Sequence, residues 1–140
     1  MPASDDETLR ELLSMTRIAV VGCSSTSGKA AHEIPAYLQR HGYEIYPVNP
    51  FADEVLGQPA VDSLADVEED IELVNVFRPT EEVPGIVEEI LDRKAAAGDV
   101  EALWLQLGIH DDEAVRAAED AGLQVVSDRC MKVEHQRLST

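Results

Sequence analysis

At 140 residues, 44% hydrophobic and 28% charged, the chain has the size and balance of one globular domain spanning residues 1–140, and it is too apolar for a disordered segment. Asp plus Glu number 28 against 11 Lys plus Arg, a net charge of -17, which excludes a generic nucleic-acid surface because such surfaces need a basic face to release counterions. The longest apolar runs, such as Ile18 to Val21 and Ala102 to Leu105, fall far short of the roughly 20 residues of a membrane span, so no membrane partner is expected.

The N-terminus, Met1 to Glu7, is acidic and lacks the basic start and apolar run of a secretory signal, and a cytoplasmic location is expected. The two cysteines, Cys23 and Cys130, have no CxxC or His-rich surroundings and read as reduced thiols. The acid is spread along the chain, with only three lysines beside eight arginines, the pattern of a protein from a salt-loving cytoplasm. Molar salt, with a Debye length of about 3 Å, would relieve the self-repulsion.

In chain order, Ser4 to Met15 reads as an amphipathic helix capped by Ser4 or Asp5, with Leu9, Leu12 and Leu13 on one face. Arg17 to Gly22 is a β-branched run ending in glycine, suited to a strand buried on both faces. A helix starting near Ala30 carries Ile34, Tyr37, Leu38 and His41 at helical spacing, with Gly42 at its end; Pro35 fits only in or near the first turn. Tyr43 to Val48 is the second strand. Phe51 to Asp70 is a turn-rich connector with one short helical turn at Ser63 to Asp66. Ile71 to Phe77 is the third strand, and Thr80 caps a helix striped with Val83, Ile86, Val87, Ile90 and Leu91. Ala102 to Gln106 is the fourth strand, Asp111 caps the next helix, Leu123 to Ser127 is the fifth strand, and Asp128 to Leu138 adds a last helical turn. Strands alternating with helices predict a Rossmann-like, doubly wound α/β three-layer sandwich with a mainly parallel sheet of about five strands.

In such a sheet ligands bind at the C-terminal strand ends, where strand order reverses. The first βα loop, Gly22-Cys23-Ser24-Ser25-Thr26-Ser27-Gly28-Lys29, encloses hydroxyls between two glycines and ends in a cation at a helix start, all of which suit a phosphate. The same composition also serves a plain strand-to-helix turn. A P-loop needs four residues between its glycines and a hydroxyl after the lysine; here there are five, and Ala30 stands in the hydroxyl's place, which disfavours ATP hydrolysis. The GxGxxG fingerprint fails at Ser24, and Asn49 rather than an acid ends the second strand, although Lys29 leaves NADP open and makes a 3′-phosphorylated nucleotide attractive.

Four ordered segments, VVGCSSTSGKAAHEIPAYLQRHGYEIYPVNP, VNVFRPTEEVP, ALWLQLGI and VVSDRCMKVEH, resemble the stand-alone CoA-binding domain family related to the N-terminal domain of succinyl-CoA synthetase α subunits. The resemblance implies coenzyme A or an acyl-CoA as ligand across the C-terminal sheet edge. It implies Gly22, Cys23, Ser24, Ser25, Gly28 and Lys29 in the phosphate loop, Asn49 and Pro50 near the adenosine, and Phe77, Arg78, Gln106 and Gly108 at the neighbouring strand ends. Lys29 stands where the family more often carries arginine.

Read from the residues alone, Arg78 emerges from a strand end and either reaches a phosphate or pairs with an acid such as Glu81. Cys23 is expected near a helix N-terminus that would lower its pKa and allow a mixed disulfide with CoA. Cys130, Glu134 and His135 suggest either a thiol–base or metal group or a packed final turn, and Asp128 and Arg129 are placed to pair. No Ser/His/Asp or metal-ligand spacing can be read from the four histidines. The expected function is a small non-catalytic module that binds or senses CoA. The alternatives are an NAD(P)-dependent oxidoreductase, an accessory subunit of an acyl-CoA ligase, and a ligand-free interaction protein; a homodimer is compatible with the architecture.

Overall fold

A computed structural model describes residues 2–139. Helix α1 (Asp6–Leu13) opens on Asp5, whose carboxylate accepts the Thr8 amide at 2.9 Å, and it buries Leu9 and Leu12. Strands β1 (Arg17–Val21), β2 (Glu44–Val48), β5 (Leu73–Val76), β6 (Ala102–Leu105) and β7 (Gln124–Val126) form one parallel sheet in the order β2-β1-β5-β6-β7. The order reverses at β1, which lies between β2 and β5, and this is the crevice where ligands bind in doubly wound sheets.

Both sheet faces are covered, so the strands are apolar on both sides. Ile18, Val20, Leu73 and Trp104 pack toward α1, α2 (Ala30–Arg40) and α5 (Met131–Leu138). Ala19, Val74, Val76, Leu103 and Leu105 pack toward α3 (Val83–Ala97) and α4 (Asp112–Asp120). The Rossmann-like α/β sandwich expected from the alternation of elements is therefore the observed fold.

Four local expectations need correction. Pro35 is the sixth residue of α2, not part of its first turn. Its missing N–H orphans the Ala31 carbonyl, which accepts the Ser24 amide at 2.9 Å instead, so the proline is tolerated because the first loop supplies the absent donor. Thr80 does not cap α3: a 3-10 turn, Thr80–Glu82, precedes the helix, and the Thr80 hydroxyl meets the His110 amide at 3.5 Å. The connector holds a hairpin, β3 (Glu54–Val55) with β4 (Gln58–Pro59), turned by Leu56 and Gly57, both at positive φ as primed hairpin turns require. The final segment is a helix of eight residues instead of a single turn.

The connector is anchored by Arg93, a buried charge on α3. Its guanidinium donates to the carbonyls of Leu64 at 2.6 Å, Val67 at 2.7 Å and Glu69 at 2.9 Å, and to the Asp99 carboxylate at 2.9 Å. Burial alone would push the Asp99 carboxyl up, but the Arg93 hydrogen bonds and the Ile71 amide hold it below its ordinary value.

Candidate functional site

Strand register sets the floor of the site. Val21 lies opposite Val48 on one side and Val76 on the other, so Gly22, Asn49 and Phe77 leave the sheet at one level. Above them opens a pocket of about 550 Å³, within the size range of small-molecule sites. It is lined by Gly22, Ser24, Lys29, Asn49, Pro50, Phe77 and Arg78 from the expected set, and by Phe51, Asp62, Glu82, Ile86 and Glu89, which sequence reasoning missed. A smaller groove of about 280 Å³ beside β2 is walled by Asp66, Glu68 and Glu69, a lining that repels phosphate.

The loop from Cys23 to Lys29 is held by short-range bonds. The Ser24 hydroxyl accepts the Thr26 amide at 3.0 Å, and the Ser24 amide is committed to Ala31. Ser25 to Lys29 are exposed, and Gly28 takes a φ of +93° that a side chain would resist. Lys29 is the residue just before α2, and its ammonium has no ion pair among the described residues. It stands beside the partial positive charge of the helix start, and together they make the most anion-attracting point of the pocket.

Asn49 behaves as a strut. Its Nδ2 donates to the Cys23 carbonyl at 2.9 Å and its Oδ1 accepts the Phe51 amide at 2.8 Å, tying the loops after β1 and β2 together. That turn projects Phe51, 95% exposed, at the pocket rim. The only sequence signal for it was an aromatic directly after an Asn-Pro turn, where solvent exposure of a large apolar ring calls for a reason.

Arg78 enters the pocket from the end of β5 and lies on the opposite wall. Its partner is Glu82, not Glu81: Nε donates to Oε1 at 3.1 Å and Nη2 to Oε2 at 2.6 Å. The pairing raises the Arg78 pKa and holds the Glu82 carboxyl below its ordinary value.

Other expected residues fall outside the pocket. Cys23 is fully buried in the core beneath α2, and burial pushes its thiol up to about 12. The expectation of a low-pKa thiol fails because residue 23 lies at the start of the loop, seven residues before α2, with its side chain buried in the core. Gln106 is buried, its Oε1 accepting the Met131 amide at 3.2 Å, so it seats α5. Gly108 donates its amide to Asp128 at 2.7 Å. Asp128 and Arg129 therefore do not pair with each other; Arg129 instead reaches Glu134 at 2.6 Å. His135 is taken by the Tyr37 hydroxyl at 2.7 Å, which favours a packed final helix over a thiol–base pair.

One constellation that spacing did not reveal is a relay after β6 and β7. His110 Nδ1 meets the Ser127 hydroxyl at 2.7 Å, and its Nε2 meets Asp112 at 2.5 Å. The two partners lie 2 and 17 residues from the histidine: Asp112 opens α4, and Ser127 follows β7, which the parallel pairing with β6 brings beside the His110 loop.

The geometry has clear relatives. Among the described residues no helix is long and apolar enough to cross a membrane. The chain is 41% identical over 128 residues to the YneT protein of Bacillus subtilis, covering 91% of each chain. It superposes on a solved protein from Pyrococcus horikoshii with a TM-score of 0.91 at 35% identity, covering 100% of this chain and 97% of that one. It is also 32% identical over 120 residues to an ADP-forming acetate–CoA ligase of Archaeoglobus fulgidus, where the match covers 81% of this chain but only 17% of the ligase. Residues 16–136 match the family model described as the CoA binding domain, so the chain belongs to the CoA binding domain family, homologous to the N-terminal CoA-binding domain of ADP-forming acetyl-CoA synthetases.

Proposed function

We propose that this chain binds coenzyme A or an acyl-CoA in the pocket between the ends of β1, β2 and β5, and acts as a small binding or sensing module. The observation that carries this reading is the pocket itself, which places Lys29, without an ion pair among the described residues, at a helix start, together with Arg78 and Gly22 at the topological switch point. Gly22, Ser24, Ser25, Gly28 and Lys29 hold the ligand's phosphates, the cation meeting charge directly and the small residues letting the backbone come close. Pro50 and the exposed Phe51 ring offer an apolar face to the adenine, while Asn49 shapes the turn that presents them. Membership of the CoA binding domain family supports the choice of ligand.

A nicotinamide cofactor is the less favoured occupant. Its usual acidic ribose ligand is replaced by Asn49, and both ends of that amide are already bonded within the protein. An accessory role beside acyl-CoA ligase chains is consistent with the ligase match, which spans less than a fifth of that enzyme. Thermal unfolding in molar KCl with CoA, acetyl-CoA, NAD, NADP and ATP separates these readings, because a ligand of the folded state raises the midpoint by mass action. A rise with CoA or acetyl-CoA supports the proposal. A rise with NAD or NADP alone overturns it.

A further inference from the structure

The phosphate-binding reading leaves one contradiction in the pocket. Arg78, its second cation, already holds a carboxylate in both arms of its fork, through Nε at 3.1 Å and Nη2 at 2.6 Å. Its aliphatic stem also lies on Gly22, where an added Cβ would come within 2.8 Å of Arg78 Cδ and 3.2 Å of Cγ. The bare backbone that would admit a phosphate is thus covered by the arginine that should help bind it.

Both partners of the pair are 46% exposed, so the pair is not part of the core and breaking it is inexpensive. Glu82 ends the 3-10 turn before α3, and its side chain makes no capping bond to the helix. Among the described residues the hydrogen-bonded partner of its carboxylate is Arg78, which it draws back along the wall.

We propose that Glu82 is a built-in competitor for the anionic ligand, and that the Arg78–Glu82 pair is a latch which must open for the ligand's phosphates to reach both the guanidinium and the Gly22 backbone. The inference rests on the pocket being a phosphate site and adds to it a residue that sets how much negative charge a ligand must bring. A diphosphate can exchange for the carboxylate in the arginine fork; a neutral or weakly charged ligand cannot, and leaves the latch shut. Swinging Arg78 away also uncovers Gly22, so the two events are coupled.

The test is a double-mutant cycle read by calorimetric titration with CoA and, separately, inorganic pyrophosphate, at low and at molar KCl. Glu82→Gln keeps the shape of the side chain and removes the competing charge. It should tighten binding by about three- to tenfold at low salt, the range expected for releasing an exposed pair and one repulsive charge, and by less at molar KCl. In an Arg78→Gln background the same change should give less than about twofold, because no fork remains to release. Glu81→Gln, which removes a neighbouring charge outside the pocket, should also stay below about twofold. A gain from Glu82→Gln that persists in the Arg78→Gln background would show general repulsion and overturn the latch. If the wild-type protein binds CoA and Glu82→Gln binds it no better, the latch fails and the phosphate site stands. If neither protein binds CoA or pyrophosphate, the phosphate site fails and the latch with it.

Discussion

Two arginines on neighbouring stretches of the chain each hold a carboxylate, and their surroundings give them opposite work. Arg93 and Asp99 have side chains only 7% and 10% exposed, and the guanidinium's remaining donors go to three carbonyls of the connector. Arg78 and Glu82 have side chains each 46% exposed and, among the described residues, hold only one another. The first pair cannot be separated without leaving a desolvated charge, so it fixes structure. The second can be exchanged for a ligand at little expense, so it can belong to a site. The same two side-chain types thus mark a structural strut or a binding group according to burial and to how many other partners the arginine has.

The largest expected effect breaks the buried member. Arg93→Met should destabilise the fold by about 3–5 kcal/mol, because Asp99 is left charged without its ion-pair partner and three carbonyls lose the guanidinium's hydrogen bonds. Arg78→Gln should change stability by no more than about 1 kcal/mol. Denaturant unfolding in molar KCl measures both, and equal effects would erase the distinction. Next in size, Lys29→Ala should weaken CoA binding by about tenfold to a hundredfold, the worth of a charge-assisted contact, with no loss of stability, since the exposed ammonium has no ion pair among the described residues.

Gly22→Ala perturbs the exposed pair from beneath. The new methyl meets Arg78 Cδ at 2.8 Å and the residue keeps a φ of +86°, so the arginine must leave its position at a backbone cost of about 1–2 kcal/mol. The expected readout is a lower unfolding midpoint together with altered CoA affinity. The pH response is smaller and belongs to the buried pair. Because the Asp99 carboxyl titrates below its unfolded value, its contribution is complete above the ordinary carboxylate range and is lost as pH falls through the folded value. Acid unfolding of wild type should therefore show a stability loss below about pH 4 that Asp99→Asn lacks. Least of all, a thiol reagent should modify Cys130 in the folded protein and leave Cys23 untouched until unfolding, since Cys23 is buried and Cys130 only partly so.

The layered fold was legible because it rests on period and punctuation. The β-branched run at Arg17 to Val21, the apolar stripe of α3 and the glycines at 42, 98 and 122 are local signals, and each element formed within a few residues of its expected place. The first loop was legible for the same reason. What stayed hidden depends on contacts between distant residues: the Ser24 amide that makes Pro35 tolerable, the three carbonyls around Arg93, and the His110 relay assembled across two strands. Side-chain direction was hidden too. Nothing in Gly-Cys-Ser-Ser says that Cys23 points into the core, nor that Asn49 spends its amide on the loops and leaves Phe51 to face the pocket.

We propose that CoA is held by its phosphates against Gly22, Lys29 and Arg78 at the switch point. Calorimetric titration of wild type, Lys29→Ala and Arg78→Gln with CoA, in molar KCl, tests it most directly. Wild type should show saturable binding to one site per chain, and Lys29→Ala at least about tenfold weaker binding with its unfolding midpoint unchanged. Equal affinity in all three proteins, or no heat from CoA where NADP gives saturable binding, would contradict it.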